Sequence, residues 1–194
     1  MLGDGSQSRN AGIFLARTLS LGEGASLVNE GEQVIEDLTL GEGDEGVTNK
    51  KGSSAVHNKL TMTGSKYVTE AGASVEIQDV LDVQGGVFEN RGKASVLKSV
   101  KISGEGEVHQ LGEAGSFTVA ESLDMTGGNA AAATLVGNGT TKLNTANITT
   151  KITNAGQMTS TGKVQTAAFD QTAQKSALHS LDVTGLVNVT GGEL

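Results

Sequence analysis

Apolar and polar residues alternate with a period of two along most of the chain, in short stretches that glycine interrupts. In one representative unit, Leu81 and Val83 point to one side, Asp82 points to the other, and Gly85 and Gly86 end the strand. Such alternation is typical of short β-strands, and no stretch sustains the period of an amphipathic helix for long enough. The pattern therefore predicts an all-β fold.

The strands recur at a nearly constant interval. An apolar–x–apolar triplet, usually followed by glycine, begins at residues 19, 38, 60, 81, 100, 123 and 181. The register is weaker between 126 and 180, where the best matches are "ANI" at 146–148 and "VQT" at 164–166. Successive starts are thus 17 to 23 residues apart. Hairpins in a sandwich would place turns about every 8–12 residues and would not repeat at this longer interval.

A solenoid explains the interval directly, because each coil stacks about 4.8 Å from the last and brings equivalent residues into ladders. The sequence thus predicts a parallel β-helix, or β-solenoid, with coils of about 20 residues. Residues 1–18 are expected to form a lead-in or cap, and residues 19–194 a single β-helix domain. The alanine run at 130–133 would be a short helical excursion or a tight loop.

A turn motif runs in step with the triplets: an apolar residue, a spacer, usually Asn, Glu or Gln, another spacer and Gly. In "VFENRG", Phe88 is predicted to stack inside and Asn90 to bond to turn backbone in its own or the next coil. Gly92 is predicted to adopt a backbone angle that side chains resist. In another copy, "VTEAG", Val68 takes the apolar position and Glu70 the polar one. The glycines that close the seven copies are Gly31, Gly52, Gly72, Gly92, Gly112, Gly139 and Gly156.

The middle residue of each triplet is expected to face solvent. In three neighbouring coils this residue is Asp82, Lys101 and Asp124, whose charges alternate as a ladder with steps of about 4.8 Å would favour. Exposed ion pairs contribute about 0–1 kcal/mol each. The alternation therefore supports the register more than it contributes to stability.

Composition narrows the class of protein. The chain has 28 glycines and no proline among 194 residues, which does not fit the Pro-rich composition of disordered tails and keeps every backbone N–H available as a donor. A net charge of −8, without a basic stripe, argues against a nucleic-acid partner. The absence of cysteine excludes disulfides and thiolate metal sites. No stretch approaches the roughly 20 apolar residues of a membrane helix, so we expect no membrane insertion by this segment.

One acidic cluster is a candidate calcium site. "LGEG" at 21–24 is predicted to stack one coil before "LGEGDEG" at 40–46, which would gather four carboxylates around a glycine-rich corner. Calcium takes about six to eight oxygen ligands. A solvated acidic loop is the alternative, and the nonapeptide calcium repeat is missing. The four residues are Glu23, Glu42, Asp44 and Glu45.

No pattern indicates an active site. Polysaccharide-cleaving sites need clustered carboxylates with a cationic base or aromatic platforms, and the chain has no Trp and one Tyr. His57, His109 and His179 are not spaced as metal ligands, and the first two fall near predicted turns, where exposure is the default. We therefore expect a protein without enzymatic activity or a cofactor.

The units "LTLGEGDEGVTNKKG" and "VLDVQGGVFENRGKASV" resemble the passenger region of bacterial autotransporters and the exoproteins of two-partner secretion systems. The resemblance implies a right-handed β-helix at the bacterial surface or outside the cell. It would act as an adhesin, a self-association module or a rigid stalk. The implied partner is a protein or glycan on a host or sibling cell, or another copy of the chain. The family's signal peptide and membrane barrel are not visible here, so we expect a fragment of a longer chain.

Two other classes of β-helix protein compete with this hypothesis. "LTLGEGDEG" is similar to sequences of bactofilins, which are cytoplasmic β-helices that polymerise end to end. That resemblance implies a filament-forming scaffold. A phage tail-spike or another sugar-cleaving β-helix is the third class, and it is the least favoured because the sequence shows no catalytic site.

Overall fold

The computed structural model of the chain describes residues 1–43, 45–111, 115–119, 121–125, 134–137, 140–143 and 145–194. These residues form strands, turns and loops, and none of them is helical. All the strands join one parallel sheet, which winds into a β-solenoid of about 8 turns with coils about 20 residues apart. The predicted parallel β-helix is confirmed, and the alanine run at 130–133 lies outside the described residues.

The chain forms eighteen described strands. They are β1 (Gln7–Asn10), β2 (Ile13–Leu21), β3 (Ser26–Asn29), β4 (Glu32–Leu40), β5 (Gly46–Asn49), β6 (Ser54–Thr69), β7 (Ser74–Asn90), β8 (Lys93–Val96), β9 (Ser99–Ile102), β10 (Glu107–Gln110), β11 (Ser116–Val119), β12 (Ser122–Met125), β13 (Thr134–Gly137), β14 (Thr140–Leu143), β15 (Thr145–Asn154), β16 (Gln157–Gln171), β17 (Ser176–Val183) and β18 (Val187–Val189).

Each coil crosses three faces of the solenoid. Face one carries the apolar–x–apolar triplets, such as residues 81–83. Face two carries the strands that end at the polar turn residue, such as residues 87–90, and face three carries the strands after that turn, such as residues 93–96. Long strands such as β6 and β7 turn the corners with register shifts and so cover more than one face.

Every predicted triplet lies in register with the next, including the two in the weaker stretch. The pairs on face one are Leu19 with Leu38, Leu38 with Leu60, Leu60 with Leu81, Leu81 with Val100, Val100 with Leu123, Leu123 with Ala146, Ala146 with Val164, and Val164 with Leu181. Strand pairing also begins before the first triplet, since β1 pairs with β3 and β2 pairs with β4. The segment expected to be a lead-in or cap therefore supplies strands of the first coil.

Stacked inward side chains form the core. Leu38, Leu60 and Leu81 lie in one column and are at most 1% exposed. Phe88 is fully buried, as predicted, and its ring stacks on that of Tyr67 with centroids 5.4 Å apart and planes 12° apart. Burying a large apolar side chain contributes about 1.5–3 kcal/mol, so these columns supply the main stabilisation of the rod.

Among the turns from face two to face three that the structure describes in full, two lengths occur. Residues 30–31 and 91–92 make two-residue turns, whereas residues 50–53, 70–73 and 172–175 make four-residue turns. In each four-residue turn the third residue has a positive φ. These residues are Gly52 at 86°, Gly72 at 83° and Gln174 at 57°.

The positive φ predicted for Gly92 is wrong. Gly92 lies in a two-residue turn and is not among the residues with positive φ. Glycine is required there because the backbones approach closely: an added Cβ would lie 2.6 Å from the carbonyl oxygen of Glu70 and would overlap that of Ala73. Gly31 is confined in the same way by the backbone of Gly12. The predicted turn glycines Gly112 and Gly139 lie outside the described residues, and Gly156, like Gly31 and Gly92, is not among the positive-φ glycines.

The alignment of "VTEAG" needs a correction of one position. Tyr67, not Val68, pairs with Phe88, and Thr69, not Glu70, pairs with Asn90. The two additional residues of the turn at 70–73 shift the glycine relative to the strand before it. For this reason the distance to the glycine is a poor guide to which side chain points inward.

Candidate functional site

A ladder of asparagine side chains runs along the inside of face two. The Nδ2 of Asn10 donates to the Oδ1 of Asn29 at 2.8 Å, and the Nδ2 of Asn29 donates to the Oδ1 of Asn49 at 2.9 Å. Asn29 also accepts from the backbone N–H of Gly31 at 3.3 Å and donates to the carbonyl of Ser54 at 3.1 Å. The predicted bonding of the polar position to turn backbone in its own and the next coil is therefore confirmed.

The ladder continues into a buried tyrosine and histidine. The Nδ2 of Asn49 donates to the Tyr67 hydroxyl at 2.8 Å, and that hydroxyl lies 2.9 Å from Nε2 of His57. The other ring nitrogen of His57, Nδ1, lies 3.3 Å from the carbonyl oxygen of Ile35. A carbonyl oxygen can only accept, so Nδ1 carries the proton and Nε2 accepts from Tyr67.

Five hydrogen bonds in series connect Asn10, through Tyr67 and His57, to the carbonyl of Ile35, and all five point in the same direction. Aligned hydrogen bonds polarise one another in a medium of low dielectric, so each bond of this series is stronger than the same bond in an isolated pair would be. We name the buried pair His57 and Tyr67 the His–Tyr latch.

Burial keeps both residues of the latch neutral. It lowers the pKa of His57 from 6.5 to about 4, an effect that the hydrogen bond to the Ile35 carbonyl partly opposes. Burial also raises the pKa of the Tyr67 hydroxyl, and the hydrogen bond from Asn49 partly opposes that shift. At neutral pH the imidazole therefore acts as one donor and one acceptor, which is what the directional chain requires.

The exposed position expected for His57 is wrong. His57 lies within β6, in an inward column between Ile35 and Ile77, and is fully buried. The sequence did hold a signal for this: Ala55 and His57 alternate in phase with Val75 and Ile77 one coil later. His109, in contrast, lies on the outer surface, with Nε2 2.7 Å from a carboxylate oxygen of Glu107.

A second polar cluster lies inside the C-terminal half. The Nδ2 of Asn154 donates to Oε1 of Gln171 at 3.0 Å, and the Ser176 hydroxyl donates to the same oxygen at 2.6 Å. All three residues are buried. None of them titrates in the ordinary pH range, so this cluster differs from the His–Tyr latch in chemistry although it lies at the same kind of position.

The outer surface of face two carries a recess of about 700 Å³ above the asparagine ladder. Short or β-branched residues form its floor: Ser26, Val28, Gly46, Thr48 and Val68. An added Cβ at Gly46 would overlap the carbonyl oxygen of Lys66, so the position must lack a side chain, and this deepens the recess. Its volume is within the range of roughly 300–1,000 Å³ that is usual for ligand pockets.

Charged side chains border this recess. Arg9 is ion-paired with Glu30, and its Nε donates to a Glu30 carboxylate oxygen at 2.9 Å. Lys66 and Glu45 also line the recess, and neither forms an ion pair with another residue in the described part of the chain. The recess thus combines an apolar floor with charges of both signs at its edge. The sequence analysis missed it, because its shape depends on short outward residues, Ser26 and Gly46, falling in adjacent coils.

The predicted calcium ligands are only partly placed together. Gly24 donates its N–H to the carbonyl of Glu42 at 3.2 Å, so Glu23 and Glu42 lie in adjacent coils, as the register predicts. Within the described residues, no three acidic or histidine side chains gather closely enough to hold a metal ion. Asp44 lies outside those residues, so the site formed by Glu23, Glu42, Asp44 and Glu45 stays a prediction.

The predicted surface ladder has the expected backbone register. Asp82 pairs with Lys101, and Lys101 pairs with Asp124. The Asp82 carboxylate accepts from Nε2 of Gln84 at 3.0 Å, and no ion pair joins Asp82 to Lys101, both of which are described. The side chain of Asp124 lies outside the description. Ion pairs do join coils in other columns, as between Lys98 and Asp79 at 2.8 Å.

Fold and interior together define a parallel β-solenoid with a hydrogen-bonded polar ladder. No protein-family model, curated protein or solved structure matches the chain. Among the described residues there is no helix with the length and apolarity needed to cross a lipid bilayer.

Proposed function

We propose that the chain is a non-enzymatic β-helical module of a bacterial cell-surface or secreted protein, and that it works by binding a partner rather than by chemistry. The observation that carries this proposal is the recess on the outer surface of face two, set in a rod whose coils are tied by a continuous parallel sheet. A stiff rod holds such a surface at a fixed distance from its attachment point. Repeated weak contacts along it add up through avidity.

The chemistry of the recess favours a protein segment as the partner. Its lining contains no aromatic ring on which a sugar could stack, whereas Val28 and Val68 offer an apolar floor. Lys66 and Glu45 offer a cation and an anion at the edge. Protein interfaces commonly combine an apolar centre with a polar rim. The segment would belong to a protein on a host or sibling cell, or to a second copy of the chain.

Binding assays with matched variants test this proposal. Beads coated with the purified chain would be mixed with one another, with extracellular-matrix proteins and with fixed cells, and clustering or adhesion would be counted. Val28→Asp and Val68→Asp place carboxylates on the outward floor of the recess and should abolish the interaction. Thr153→Asp changes an outward position of the same face further along the rod, in β15, and should leave it intact.

Two results would contradict the proposal. One is the absence of adhesion and clustering at every surface tested. The other is adhesion that the recess variants and Thr153→Asp reduce equally, since the recess would then not be the contact. Ordered filaments of the purified chain in electron micrographs, without adhesion, would instead support the bactofilin-like scaffold.

A further inference from the structure

We infer that the His–Tyr latch is an acid-sensitive switch for the recess: protonation of His57 breaks the directional hydrogen-bond chain and loosens the strands that form the recess floor. This inference goes beyond binding itself, because it concerns how the molecule would change its surface with pH. The purified chain alone, without any partner, is sufficient to test it.

The latch lies directly behind the recess. In β5, Asn49 points inward to Tyr67, while Gly46 and Thr48 of the same strand form part of the recess. In the next coil, Tyr67 points inward, and its neighbours Lys66 and Val68 line the recess. We call β5 and residues 66–69 the latch strands. Alternate residues of these strands thus belong to the buried hydrogen-bond network and to the outer surface, so a displacement of one moves the other.

Protonation at Nε2 is incompatible with the present bonding. Nε2 of His57 now accepts the hydroxyl proton of Tyr67 at 2.9 Å, and Nδ1 already donates to the Ile35 carbonyl. A proton taken from solvent onto Nε2 turns that nitrogen into a donor, so the Tyr67 hydroxyl loses its acceptor. The Tyr67 oxygen would then receive hydrogen from both Asn49 and His57, while its own hydrogen points into a buried region. An unpaired buried donor is costly, and so is a buried cation.

Among the described residues, no carboxylate contacts His57 to compensate the new charge. Tyr67 is the one titratable group among the residues that contact His57 through hydrogen bonds or ring contacts. The register neighbours of His57 on face three, Ile35 and Ile77, are apolar. The charged residues on the strand segments around His57 are at least partly exposed to solvent: Glu32, Glu36, Asp37, Lys59, Glu76 and Asp79. Lys66, beside Tyr67, is exposed as well.

The direction of the pH dependence follows from which state of the protein, folded or opened, binds the proton on His57 more readily. The pKa of His57 is about 4 in the folded chain and 6.5 as the ordinary value, so the unfolded or opened chain takes up the proton at the higher pH. The stability that neutral, buried His57 contributes is therefore fully present above pH 6.5 and is lost as the pH drops from 6.5 towards 4. Between pH 7 and pH 5 the opening equilibrium of the latch strands should rise about 20-fold.

Hydrogen exchange can test the switch with an internal control. Opening constants, corrected for the intrinsic exchange rate, would be measured at pH 7 and pH 5 for amides of β5 and of residues 66–69. The same measurement for residues 151–154 and 168–171 reports on the Asn154–Gln171–Ser176 cluster, which has no titratable member. We expect the 20-fold rise in the latch strands and little change in the C-terminal cluster.

Two variants separate His57 from other histidines. His57→Gln keeps a neutral donor and acceptor in the core and should remove the pH dependence of the latch strands. His109→Gln changes an outward histidine beside Glu107 and should leave that dependence intact. If His57→Gln does not fold, the native chain still decides the question, because nuclear magnetic resonance of the imidazole reports the tautomer and pKa of His57 directly.

The inference is overturned if protection falls equally in both halves of the rod, or if the His109 variant abolishes the effect. It is also overturned if the imidazole of His57 titrates near pH 6.5, since the folded chain would then tolerate the charge. An imidazole held as the Nδ1–H tautomer down to about pH 4, with selective loosening of β5 and residues 66–69, supports it.

Discussion

Gln174 adopts, at a φ of 57°, the left-handed conformation that Gly72 adopts at 83° in the equivalent position of another four-residue turn. A side chain at positive φ costs about 1–2 kcal/mol, which glycine avoids. The turn at 172–175 therefore carries strain that the turn at 70–73 does not.

Gln174→Gly should raise the free energy of unfolding by about 0.5–1 kcal/mol, since relief of the strain exceeds the larger backbone entropy of glycine in the unfolded chain. Thermal unfolding and the exchange rates of amides in β17 would measure the gain. Thr172→Gly, at the first position of the same turn, is the control and should destabilise. Equal effects of the two changes would mean that the conformation of Gln174 is not strained.

Gly92 and Gly52 should differ in their tolerance of alanine, because they are glycines for different reasons. Gly92→Ala places a Cβ against the carbonyl oxygens of Ala73 and Glu70, which belong to backbone and cannot turn away. We expect a loss of about 2–4 kcal/mol, in the range of severe point mutations. Gly52→Ala meets no atom within 4 Å and should cost only the left-handed strain, about 1–2 kcal/mol. Melting of the two variants compares them, and the reverse order would refute the distinction between the two turns.

Asn49 and Thr69 occupy the same column of face two, yet replacing each with an apolar residue should change the stability of the fold in opposite directions. Asn49 links Asn29 to Tyr67, so Asn49→Leu removes one buried hydrogen bond from each of them and should cost about 1–3 kcal/mol for each. The buried Oγ1 of Thr69 has no hydrogen-bond partner among the described residues. Thr69→Val should therefore be neutral or stabilise by about 1 kcal/mol. Calorimetry of both variants checks the pair, and a large loss from Thr69→Val would show that its hydroxyl is bonded.

The register of the rod could be predicted from the sequence because stacking repeats the same requirement in every coil. Even "ANI" at 146 and "VQT" at 164, which match the triplet poorly, pair as predicted. Turn length was harder to predict. Glycine is needed both where φ is positive, as at Gly72, and where neighbouring backbone approaches closely, as at Gly92. The presence of a glycine in the sequence does not show which of the two reasons applies.

The candidate site was less predictable than the fold. From the sequence, His57 is expected to be exposed because it falls near a predicted turn, although its alternation with Ala55 puts it in an inward column. The bond from its ring to Tyr67 joins residues ten positions apart across a corner of the coil, which no repeat motif records. The recess depends on side-chain lengths in adjacent coils, as at Ser26 and Gly46, and so emerges only after the coils are stacked.

Cross-linking tests the central claim, the parallel register of adjacent coils, most directly. The chain contains no cysteine, so pairs can be introduced without background. Thr39 and Thr61 are register neighbours on the outward side of face one, whereas Thr39 and Asp82 are two coils apart. Adjacent parallel strands lie about 4.8 Å apart, within the reach of a disulfide. Thr39→Cys with Thr61→Cys should form a disulfide readily under mild oxidation, and Thr39→Cys with Asp82→Cys should not; equal or reversed yields would contradict the solenoid register.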